Sequence, residues 1–124
     1  MLTIPPSVRV YLGAGATDMR KAIDGLRALV RDALAEDPFS GHLFVFANRR
    51  RDRIKILVWD GTGFWVFFKR LEQGTFSWPE AQDRAVVTMT ARDLTLMLEG
   101  VDLSRVQFRK RYSRQTDMQV AASV

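Results

Sequence analysis

The apolar positions of this chain change period as it proceeds, and the changes mark out its elements. Val8 to Leu12 alternates in the manner of a short strand, and Gly13, Gly15 and Ala16 interrupt it. Met19, Ile23, Leu26, Val30 and Leu34 then recur at steps of three and four, which predicts a helix of about five turns opened by Thr17 as N-cap and stopped by Asp37-Pro38. Three stretches rich in Val, Ile, Phe and Trp follow, at His42–Ala47, Arg53–Asp60 and Phe64–Leu71. Their short connections, Asn48 to Asp52 and Gly61-Thr62-Gly63, predict antiparallel hairpins. Glu72-Gln73-Gly74 signals another turn before Thr75–Trp78, and Ala85–Met89 adds an edge strand. Thr90-Ala91-Arg92-Asp93 resembles a capping box ahead of Leu94, Met97 and Leu98, with Gly100 as the helix stop. The layout predicts an α+β fold: an antiparallel meander of about five strands with two helices packed on one face. Residues 1–103 form the single domain, and 104–124, where the periodicity ends, are expected to be a mobile basic tail.

Composition narrows the chemistry. Hydrophobic residues at 47% and charged residues at 27% suit a packed core. The absence of cysteine and the single histidine, His42, exclude disulfide frameworks, thiolate nucleophiles and multi-histidine metal sites. No apolar run approaches the roughly 20 residues of a membrane span, and no signal peptide is visible, so a cytoplasmic protein without membrane partners is expected.

The net charge of +5 is unevenly placed. Residues 1–103 carry 14 Lys/Arg against 13 Asp/Glu, whereas 104–124 carry five against one. Within the domain, Arg49, Arg50, Arg51, Arg53 and Lys55 stand against Asp52 alone. A near-neutral body with two basic foci points to a polyanion met at defined places. Arg49, Arg50, Arg51 and Arg53 are the candidate phosphate contacts, with Lys55, Lys69 and Arg70 extending the patch and Arg109, Lys110 and Arg111 adding a tail contact. Trp65 and Phe67 share a strand face with Lys69 and are the aromatics best placed for exposure.

Catalytic readings are weaker. Asp18, Asp24, Asp52 and Asp60 sit where caps and turns use carboxylates, and Gly13-x-Gly15 lacks the third glycine and lysine of a phosphate loop. His42 reads as structural. No enzyme activity, cofactor or metal is expected.

Several blocks together resemble one family. They are Gly15-Ala16-Thr17-Asp18-Met19-Arg20-Lys21, Asp37-Pro38-Phe39-Ser40-Gly41, Asn48 through Lys55, Trp59-Asp60-Gly61, and Lys69-Arg70-Leu71-Glu72 with Gly74, Phe76, Trp78 and Pro79. This pattern resembles the TnpB-type accessory protein, the second open reading frame, of the IS66 family of bacterial insertion sequences. It is distinct from the larger RNA-guided nuclease that shares the name TnpB. The resemblance implies a role beside a separate transposase, with that enzyme and other proteins of the same element as partners and no catalytic residues in this chain. Two readings stay open: a DNA-binding accessory protein, and an adaptor that docks the transposase without touching DNA. Self-association stays open as well.

Overall fold

A computed structural model describes residues 4–79 and 83–100. In chain order the elements are β1 (Val10–Ala16), α1 (Ile23–Asp32), β2 (Leu43–Ala47), β3 (Arg53–Trp59), β4 (Phe64–Arg70), β5 (Val86–Met89) and α2 (Ala91–Leu98). The strands form one sheet in the order β4-β3-β2-β1-β5. The expected α+β class, five strands and two helices are present.

The sheet is mixed rather than a pure antiparallel meander. β1 and β2 run parallel, with Val10 beside Leu43 and Leu12 beside Val45, while β2–β3, β3–β4 and β1–β5 are antiparallel. The cause is α1, which carries the chain back along the sheet so that β2 re-enters in the direction of β1.

The helices also lie on opposite faces, not on one. Leu26, Val30 and Leu34 pack with Tyr11, Phe44, Phe46 and Leu57 on one side. Leu94 and Met97 pack with Val10, Leu12, Leu43, Val45, Ile54, Ile56 and Phe76 on the other. β2 lies in the middle of the sheet and all five of its residues are buried, which is why Leu43-Phe44-Val45-Phe46-Ala47 is apolar without alternation.

Local differences have local causes. β1 continues through Gly13 and Gly15; at Gly13 a Cβ would stand 3.1 Å from the Phe46 ring, tighter than ordinary contact, so the glycine lets that ring pack close to the strand. Thr17 does not cap α1; its N–H donates to the Ala47 carbonyl, and the helix starts at Ile23 after a turn held by Asp18. Thr75–Trp78 is not a strand, but the Phe76 N–H donates to the Arg51 carbonyl at 2.7 Å and its ring is buried beneath the sheet. The cap of α2 is as expected: Thr90 Oγ1 accepts the Asp93 N–H at 3.0 Å, and Gly100 follows the helix at φ +84°. The tail at 104–124, with Arg109, Lys110 and Arg111, lies outside the described residues.

Candidate nucleic-acid interface

The basic connection between β2 and β3 is an ordered turn. Asn48 Oδ1 accepts the N–H groups of Asp52 and Arg53 at 3.1 and 3.0 Å, and its Nδ2 donates to Asp52 Oδ1 at 2.6 Å. That last bond holds the Asp52 carboxyl below its ordinary pKa. Arg49 and Arg50 are exposed at the tip of this turn.

Arg51 turns the other way. Its backbone takes the left-handed conformation, φ +62°, and its guanidinium lies 4.9 Å from the centre of the Trp78 ring. Nη2 reaches the Ala14 carbonyl at 3.4 Å, while Nη1 is buried with no hydrogen-bond partner. Burial lowers the pKa of this group. The three arginines of the turn are therefore not equivalent: two face solvent, and the third braces β1 against the segment after β4.

Strand alternation sorts the remaining cations. Arg53 and Lys55 project to the α1 face, where Arg53 pairs with Arg70 and Lys55 with Phe68 across β3–β4. Lys55 Nζ donates to the Lys21 carbonyl at 2.8 Å and stands 5.8 Å from the Phe68 ring centre. Arg53 lies 3.9 Å from Asp52, and Arg70 is 3.1 Å from Glu72. A groove runs between this strand pair and the turn before α1, lined by Asp18, Met19, Arg20, Arg53, Lys55 and Phe68.

Arg20 lies in the Gly15–Lys21 block but is not one of the candidate phosphate contacts read from the sequence. It is paired with Asp18 at 2.7 Å yet its side chain is 90% exposed, and the pairing holds the Asp18 carboxyl at about 2. The signal was the short spacing from Asp18 to Arg20, which fits an Asp-initiated turn as well as a helix start.

Lys69 is not part of this cluster. It opposes Ile54 on the α2 face, where Nζ donates to the Leu98 carbonyl at the end of α2. A cation there satisfies a terminal carbonyl and complements the helix dipole. Trp65 and Phe67 share that face, with their rings parallel and 5.9 Å apart. Asp60 Oδ2 accepts the Trp65 indole N–H at 2.7 Å, and Oδ1 accepts the backbone N–H groups of Thr62 and Gly63. Those bonds push the Asp60 pKa well below the ordinary carboxylate range.

The other candidates have structural partners. His42 Nδ1 accepts the Arg9 N–H at 2.9 Å, and Gly13 and Gly15 lie within β1. Among the described residues, no group of three or more His, Asp or Glu side chains is placed to hold a metal ion, and no helix is long and apolar enough to cross a membrane.

Comparison with known proteins places these features in a family. The model of the family described as IS66 Orf2 like protein matches residues 8–108. An uncharacterised protein of Sinorhizobium fredii, y4jC, is 38% identical over 109 residues, covering 88% of this chain and 92% of its own length. A second from the same organism, y4hO, is 38% identical over 102 residues, covering 82% of this chain and 88% of its own. No solved structure gives a significant match.

Proposed function

The chain belongs to the IS66 Orf2-like family, and from that premise we propose that it is a non-catalytic DNA-binding accessory protein of transposition. Family membership by itself implies the coarser part, an accessory role beside the transposase of the same element. The DNA contact is the finer part. It is supported by one observation: Arg53, Lys55 and Arg70 share the α1 face of β3–β4 and continue into the exposed Arg49 and Arg50.

The physical logic is that of a backbone clamp. Guanidinium groups offer forks of donors matched to phosphate oxygens, and a turn whose backbone is held by Asn48 presents two of them from a fixed place. Phosphate contacts position a protein on DNA without reading sequence. Arg20 extends the clamp across the groove. Arg51 supports the turn from behind through Trp78.

The test is DNA affinity as a function of salt. Removing two phosphate contacts with Arg49→Ala/Arg50→Ala should flatten the slope of log K against log salt by about 1.8 on duplex DNA. Affinity should fall similarly on terminal-repeat and random sequences. A double variant that binds DNA with wild-type affinity and slope, but no longer co-purifies with the transposase, would replace this reading with the adaptor one.

A further inference from the structure

Among the described residues β4 is an edge strand whose protection is confined to its C-terminal end, where Lys69 and Arg70 stand, while Phe64 to Phe68 carries no charge. Proteins blunt exposed edges with short strands, bulges, prolines or charges, because the unpaired N–H and C=O row otherwise recruits another strand. The opposite edge, β5, is only four residues long. β4 runs for seven residues, contains no proline, and pairs with β3 through its whole length without a register shift. Three of its side chains, Trp65, Phe67 and Phe68, are large hydrophobics exposed at 55%, 37% and 53%. The Asp60 carboxylate fixes the Trp65 indole in place, so part of the ordering cost of contact is already met.

We propose that β4 is the contact through which two copies of this chain join, antiparallel, about a two-fold axis at Phe67. The choice of a second copy rests on the self-complementarity of Phe64-Trp65-Val66-Phe67-Phe68-Lys69-Arg70. With the axis at Phe67 every residue of the strand finds a partner. On the α2 face Phe67 meets its own copy, and Trp65 meets Lys69 of the other chain. On the α1 face Val66 meets Phe68, and Phe64 meets Arg70. Each cation therefore opposes an aromatic ring, and the remaining pairs are apolar. An axis at Lys69 would set like charges against each other, and an axis between two residues would place side chains of opposite faces together. The shared sheet puts both α1 faces on one side, so the two basic clusters face the same way. Arg70 belongs to both the contact and the basic cluster, so the contact is tested by mass and cross-linking, which do not involve DNA.

Sedimentation equilibrium of the full chain tests the proposal. The expected mass is twice 14.2 kDa, returning to 14.2 kDa in Phe67→Lys with an unchanged circular dichroism spectrum. The register has its own test, because the chain has no native cysteine. Residues directly opposed across antiparallel strands have Cα atoms about 4.5–5.5 Å apart, within disulfide reach. Phe67→Cys should form a covalent dimer under mild oxidation, Trp65→Cys should not, and Trp65→Cys/Lys69→Cys should regain it. A wild-type chain that stays at the monomer mass up to its solubility limit overturns the proposal. So does a dimer in which Phe67→Cys fails to cross-link, which would place the contact elsewhere.

Discussion

The guanidinium of Arg51 sits over the Trp78 ring, 4.9 Å from its centre, although it is flanked by two arginines that face solvent. The left-handed backbone at Arg51 reverses the direction of its side chain relative to Arg49 and Arg50 and directs it at Ala14 and Trp78. The same residue's carbonyl accepts the Phe76 N–H, so one position ties the turn, β1 and the segment after β4 together.

Arg51→Ala should therefore act on stability. Losing the ring contact and the bond to Ala14 is expected to cost about 1–2 kcal/mol, read as a lower urea midpoint with unchanged slope. DNA affinity of the folded variant should fall less than in Arg49→Ala. If Arg51→Ala leaves the urea midpoint unmoved and weakens DNA binding more than Arg49→Ala, Arg51 contacts phosphate and not Trp78.

Lys69 and Arg70 are adjacent in the chain and point to opposite faces. Lys69→Ala should loosen the end of α2, destabilising the protein by about 0.3–1 kcal/mol, and leave the salt slope of DNA binding unchanged. Arg70→Ala should reduce that slope by about 0.9 with little change in stability. Equal effects of the two substitutions on the slope would contradict the division between faces.

Each helix covers its own side of the sheet, so neither can compensate for the other. Leu26→Ala and Leu94→Ala both remove fully buried side chains, from separate clusters, and each should cost about 2–5 kcal/mol in thermal or chemical unfolding. Because the sites are separated by the sheet, the double variant should show the sum of the single effects. Strong non-additivity would mean that the two clusters act as one.

Acid sensitivity follows from Asp18 and Asp60. Hydrogen bonds and the Arg20 charge depress the Asp18 pKa in the folded chain from 3.8 to about 2, and backbone and indole N–H groups depress that of Asp60. A depressed folded pKa means stability that is complete above the unfolded value and lost as pH falls through the folded one. Stability should hold down to about pH 4 and decline toward pH 2. Asp60→Asn should make that decline shallower, and a pH profile identical to wild type would show that the Asp60 bonds do not contribute.

What the chain determined by itself is local. The Thr90 cap, the Gly100 stop and the two hairpin turns all depend on residues within a few positions of one another, so their side-chain chemistry specifies them. The sheet's central strand was legible too, in the unalternating Leu43–Ala47, but that run states only that both faces are covered. It does not say by what, and the parallel pairing with β1 and the separation of the helices depend on the path taken by α1. The basic cluster divides in the same way. Period two fixes which residues share a face within a strand, as for Trp65, Phe67 and Lys69. Which face of one strand matches which face of the next is set by register, and register depends on the length and geometry of the turn between them. The turn closing β3 onto β4 pairs Trp59 with Phe64, so Lys55 falls opposite Phe68 and Lys69 opposite Ile54. Two lysines that belong to one patch in the sequence are thereby placed on opposite sides of the sheet, because a pairing register is a property of two strands and neither strand's own pattern contains it.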